Sequence, residues 1–190
     1  MELAGIAPDT VVFLDETSTR TTMTRARGRA PRGERVIGAV PRNHGPNVTC
    51  LAALTSTGIR TPLVIEGAMD GPVFLTWVRE WLLPTLDRGM TVVLDNLNVH
   101  RTAEVRAAVE GAGCHLRYLP AYSPDFNPIE LAFAKLKAHL RGVAARAFHP
   151  LVDAIGAGLA QITTADIAGY YRHCGFALPQ ASPQPSCKPL

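Results

Sequence analysis

Three acidic residues stand where chemistry can be built. Asp15 closes the apolar run VVFLD and Asp95 closes TVVLD, while Glu130 opens a helix behind the proline-punctuated loop of LPAYSPDFNPIELAFAKLK, residues 119–137. Carboxylates that share a pocket repel one another, and a divalent cation is the natural way to offset that repulsion. Metal-assisted phosphoryl transfer on nucleic acid is chemistry that such a set can perform.

Each carboxylate also has a plainer reading. Aspartate at a strand end favours a turn, which accounts for Asp15 or Asp95 taken singly. Asn127 suits a helix N-cap, Pro128 the first helical position and Glu130 the third, where a capping box places glutamate, with Phe126 and Leu131 as a hydrophobic staple. A helix start is also a fixed mount, so capping and ligation can coexist in Glu130. Glu16 adjoins Asp15, but strand side chains alternate, so the two cannot face one pocket from a regular strand. Asp125 ranks below Glu130 because it sits in the loop. His100, five residues beyond Asp95, is either a helix-entry histidine or a partner to a metal ligand or phosphate.

The elements that must position these groups follow from pattern. Residues 11–15 read as a buried strand, RVIGAV (35–40) and VTCLAALTS (48–56) as two more joined by a hairpin loop at PRNHGPN, and TPLVIEG (61–67) as another. Phe74, Trp77, Val78, Trp81 and Leu82 recur at helical spacing, predicting a helix over 72–88 that ends at Gly89 and is kinked or shortened by Pro84. A strand at 91–95, a helix at 102–111 capped by Thr102, a strand at 115–119, a helix at 128–141 and a weaker helical stretch at 150–173 complete the order. Hairpin-linked strands followed by alternating strand and helix predict an α/β fold, a mixed sheet with an antiparallel meander and then parallel strands, flanked by helices. That is the layout of a ribonuclease-H-like architecture.

Composition bounds the rest. At 190 residues and 47% hydrophobic content, one domain is the expectation. Residues 1–145 read as that domain, 146–178 as a C-terminal helical extension of it, and 179–190, rich in proline and polar residues, as a loose tail. No apolar run of membrane-spanning length and no signal-like N-terminus occurs, which predicts a cytoplasmic protein without a membrane partner. The four cysteines (Cys50, Cys114, Cys174, Cys187) lack zinc or disulfide spacing and read as reduced thiols. Net charge is only +3, yet seven arginines (Arg20, Arg25, Arg27, Arg29, Arg32, Arg35, Arg42) crowd residues 20–42 with Glu34 as the sole acid there. Such density suits phosphate contact, and Arg25, Arg27, Arg29 and Arg32 are the candidate DNA-binding residues, with His100; a solvated hairpin surface is the alternative.

Taken together, VVFLDE, VVLDNLNVH and LPAYSPDFNPIELAFAKLK resemble the catalytic domain of insertion-sequence transposases of the mariner-like superfamily, a branch of the DDE transposases and integrases. The S-P-D-x-N-P-I-E loop leading into a helix, with an aspartate thirty-five positions before its glutamate, is the specific part. The resemblance spans roughly residues 10–145. It implies a ribonuclease-H-like fold in which Asp15, Asp95 and Glu130 form an acidic triad holding two magnesium or manganese ions, hydrolysing phosphodiesters at transposon ends and transferring the strand to target DNA. It further implies a homodimer on DNA, acting at the bacterial nucleoid. End recognition is expected from a helix-turn-helix part encoded separately or fused by frameshifting. Phe133 stands where relatives often place tryptophan, a change that leaves packing intact. The alternatives are an inactive remnant that only binds DNA, and a structural domain of the same fold with no DNA role.

Overall fold

A computed structural model describes residues 5–43, 45–95, 101–121, 123–176 and 178. The predicted tail, His100 and most of DNLNVH lie outside them. Five strands form one mixed sheet in the order β3-β2-β1-β4-β5. They are β1 (Val11–Arg20), β2 (Asn47–Thr55), β3 (Gly58–Glu66), β4 (Thr91–Leu94) and β5 (His115–Tyr118). The pairs β1–β2 and β2–β3 are antiparallel, whereas β1–β4 and β4–β5 are parallel, as the element order predicts. The helices are α1 (Gly71–Trp77), α2 (Ala103–Gly111), α3 (Pro128–Val143), α4 (Phe148–Ala160) and α5 (Thr164–His173).

Val11 to Leu14 and Val92 to Leu94 are buried throughout because helices cover both faces of the sheet. On one face Val11, Phe13, Val48 and Val93 meet Ile129, Phe133, Leu136 and Leu140 of α3, Leu151 and Ile155 of α4, and Ile167 and Tyr171 of α5. On the other, Val12, Leu14, Leu51 and Val92 meet Phe74, Trp77 and Val78, with Val105 and Val109 of α2. Two polar tips fix this packing. The Tyr171 hydroxyl donates to Val11 O at 3.0 Å, and Trp77 Nε1 donates to Thr61 O at 2.8 Å. Phe133 is fully buried in the first core. Cys50, Cys114 and Cys174 are buried free thiols.

Several sequence expectations fail for physical reasons. Residues 35–40 form no strand: β1 runs on to Arg20 and pairs directly with β2 from Phe13↔Leu54 to Arg20↔Asn47, and β4 takes its other side. The β2 side of β1 is filled along its length, residues 35–40 pair with neither strand, and Ile37 is 90% exposed. The connection between β1 and β2 is therefore the whole of residues 21–46. The expected helix over 72–88 stops being α-helical at Trp77 and closes through one wide turn (Val78–Leu82) and one tight turn (Leu83–Thr85). Pro84, lacking an N–H, cannot continue the α ladder. Gly89 instead turns the chain into β4 with φ of 86°. The stretch at 150–173 is two helices meeting at 79°, because Thr163 and Asp166 form a capping box that starts α5 anew. Among the described residues, no single helix is long and apolar enough to cross a membrane.

Candidate active site

The site begins at the entrance of α3. A tight turn at Pro124–Phe126 delivers Asn127 in an extended conformation, and Pro128 supplies the first helical position without leaving an N–H unsatisfied. Asn127 occupies the N-cap by backbone, but its side chain caps nothing. It reaches across to β1, where Asn127 Nδ2 donates to Asp15 Oδ2 at 2.8 Å. The expected Asn127–Glu130 capping box is thus replaced by a long-range bond. The backbone still links the two residues, since Glu130 N–H donates to Asn127 O at 3.1 Å. Asn127 Oδ1 is buried and has no hydrogen-bond partner among the described residues.

Asp15 does not end its strand. It lies in the middle of β1, where parallel pairing with β4 gives out after Phe13↔Val93. Carrying that register two residues further brings Asp15 level with Asp95, just beyond β4. Asp15 shares the parity of Val11 and Phe13 and so faces α3, while Glu16 shares that of Val12 and Leu14 and faces away. Only 7% of Asp15 is exposed. Its carboxylate is fixed from two sides: Oδ1 accepts from Glu16 N–H at 2.7 Å, and Oδ2 from Asn127.

Burial is the main reason that the Asp15 pKa is pushed up to about 7, and the hydrogen bond from Glu16 N–H opposes it. The charges of Glu130, Asp95 and Glu16 then raise it further. Three carboxylates from β1, the end of β4 and the start of α3 therefore act on one place. Asp15 is buried, Asp95 half-buried and Glu130 exposed, a gradient from the core to solvent. Among the described residues, no three His, Cys, Asp or Glu side chains are gathered closely enough to hold a metal ion as they stand. Asp125 is exposed in the turn before α3.

The candidate DNA-binding arginines lie apart from this pocket. Arg25, Arg27, Arg29 and Arg32 are all exposed on the 21–46 connection. Arg25 and Arg27 line a cavity of about 560 Å³ together with Arg141 and Arg146. Sequence reading missed Arg141 and Arg146, which are isolated in the chain and meet the others only through the fold. It saw Asn127 solely as a cap, since nothing local reveals a partner 112 positions away.

Residues 10–150 match the sequence pattern of a family described as DDE superfamily endonuclease. The transposable element Tc1 transposase of Caenorhabditis elegans is 32% identical over 108 residues, covering 55% of this chain and 40% of that protein. The Mos1 strand transfer complex superposes with a TM-score of 0.66 at 16% identity, covering 88% of this chain and 51% of the Mos1 chain. The mariner Mos1 paired end complex with Mg gives 0.66 at 15% identity, covering 86% and 53%. The chain thus spans about half the length of these relatives or less. The likeness bears out the ribonuclease-H-like layout and the mariner-like resemblance read from the motifs.

Proposed function

The chain belongs to the DDE superfamily endonuclease family, and from that premise we propose that it is a DNA transposase catalytic domain, hydrolysing phosphodiesters at element ends and joining the freed 3′ end to target DNA. One observation carries this reading furthest. Asp95 and Glu130, on two different elements, both bear electrostatically on Asp15, on a third. Mutual repulsion at a partly buried place is what a divalent cation offsets, and an all-oxygen donor set suits magnesium or manganese. The donor chemistry fits the group, and Asp15, Asp95 and Glu130 are the residues that would hold two such ions. When bound, the ions would lower the pKa of an attacking water and stabilise the leaving 3′ oxygen. That a Mos1 complex of the same fold was solved with Mg supports the choice of metal.

The chain's own residues divide the remaining work. Asp15 offers a carboxylate that its two hydrogen bonds keep from turning away. Asp95 stands beside it at the end of β4. Glu130, on the first turn of α3 and exposed, would supply the third carboxylate from the solvent side. Water and a DNA 3′-hydroxyl can be used in turn at one such site, so no covalent bond to protein is required. Recognition of element ends by a helix-turn-helix part, and a dimer on DNA, belong to the same proposal.

Nicking of supercoiled plasmid tests it. With Mg²⁺ the chain, alone or joined to an end-binding module, is expected to nick, and Asp95→Asn is expected to abolish nicking while folding normally. Equal nicking by Asp95→Asn, with contaminating nuclease excluded, overturns the proposal.

A further inference from the structure

We propose that the cavity between the 21–46 connection and the end of α3 is a binding site for phosphodiester groups of the DNA backbone, placed to hold the duplex at a fixed distance from the reacting bond. This rests on the reading of Asp15, Asp95 and Glu130 as the DNA-processing site. Four arginines from separate parts of the chain converge there: Arg25 and Arg27 from the connection, Arg141 from the last turn of α3 and Arg146 just beyond it. No aspartate or glutamate lines the cavity, and no carboxylate pairs with any of the four among the described residues. Four cations without a counter-charge repel one another, and anionic oxygens are the ligands that relieve this.

The cavity is built rather than incidental. Arg146 Nη1 donates to Thr21 O at 2.8 Å and to Met23 O at 2.9 Å, which pins the start of the connection to the end of α3. Arg25 lies against the end of α3, its Nη2 within 3.9 Å of where a Cβ on Gly142 would stand. The two arms of the connection also touch, since a Cβ on Gly28 would come within 2.6 Å of Val36 Cγ1. Arg141 follows Glu130 by eleven positions along α3, about 16.5 Å at ~1.5 Å per residue. For a duplex lying along α3 that is about five base pairs, at ~3.4 Å each.

Binding of Asp95→Asn protein to duplex DNA in EDTA, measured across a salt series, separates this site from catalysis. Arg27→Ala with Arg141→Ala is expected to flatten the slope of log affinity against log salt by about 1.8, whereas Arg27→Lys with Arg141→Lys retains it. Arg79→Ala, on the opposite face of the sheet, is the comparison that should change the slope by less than half as much as the double alanine variant does. An unchanged slope in the double alanine variant overturns the site, whether or not the parent nicks. If the parent nicks, neutral methylphosphonates about five nucleotides from the nick should weaken binding by the parent and not by the double alanine variant. An effect confined to other positions overturns the spacing.

From a separate observation we propose that Asn127 is a positioning residue for Asp15. It grips the carboxylate from the helix entrance while its carbonyl accepts from Glu130 N–H, so one residue sets the separation of two candidate ligands. Asn127→Ser distinguishes this from helix capping, because serine is as good a cap but is too short to reach Asp15. It is expected to melt within about 4 °C of the parent, the new cap offsetting the lost bond to Asp15, yet bind Mn²⁺ at least about tenfold more weakly by calorimetry. Affinity within a factor of about two of the parent overturns the role.

Discussion

The middle of β1 and the connection that follows it carry opposite kinds of charge in opposite settings. Around Asp15, acidic groups are brought together by buried strands and a helix entrance, and burial makes their charge costly. Along 21–46, arginines stand in solvent on backbone that belongs to no strand or helix. The first region needs rigidity, because metal ligation and in-line attack tolerate little misplacement. The second needs reach and charge, which solvated arginines supply without a packed core. Chemistry and grip are therefore built from different materials within ten residues of each other.

The largest way to break this contrast is Asp95→Asn. Nicking should fall by about a thousandfold or more with DNA affinity in EDTA little changed, as checked by single-turnover cleavage and filter binding. If both fall together, the two regions are not separable.

Next comes pH. Folded Asp15 keeps its proton up to about 7, whereas its ordinary value is 3.8, so the folded state binds more protons between these limits. Metal-free stability should then fall as pH rises through that window, by roughly 4 kcal/mol at most, and Asp15→Asn should flatten the dependence. Urea unfolding in EDTA at several pH values measures it; a stability that rises from pH 4 to 7 through this residue contradicts the burial argument.

A smaller effect is expected where α5 holds β1. Tyr171→Phe removes the bond to Val11 O and should cost about 1 kcal/mol in urea unfolding. The smallest is Ile37→Ser, expected within about 0.5 kcal/mol of the parent because the residue is almost wholly exposed. A large loss at Ile37 would show that the connection is part of the core and would erase the contrast.

What could be read from sequence tracks how local each cause is. The runs before Asp15 and Asp95 and the proline-led entrance to α3 are local signals, and the change from antiparallel to parallel pairing followed from the succession of elements. Residues 35–40 misled because V-I-G-A-V carries apolar residues of strand type while nothing in it reveals that β2 pairs directly with β1 as far as Arg20. The turn pattern after Trp77 depended on how far Pro84 disturbs the ladder before it. Asn127 was legible as a helix entrance and illegible as a partner of Asp15, because that choice is decided by a strand 112 positions away. Arg141 and Arg146 gained meaning only once the connection was seen pinned beside them.

The account stands most directly on whether Asp15, Asp95 and Glu130 hold common ions. Titration calorimetry with Mn²⁺ on the parent, Asp15→Asn, Asp95→Asn and Glu130→Gln measures this without DNA. The account predicts binding to the parent and at least about tenfold weaker binding in each of the three variants. A parent that binds no Mn²⁺, or a Glu130→Gln variant that binds as the parent does, would contradict it.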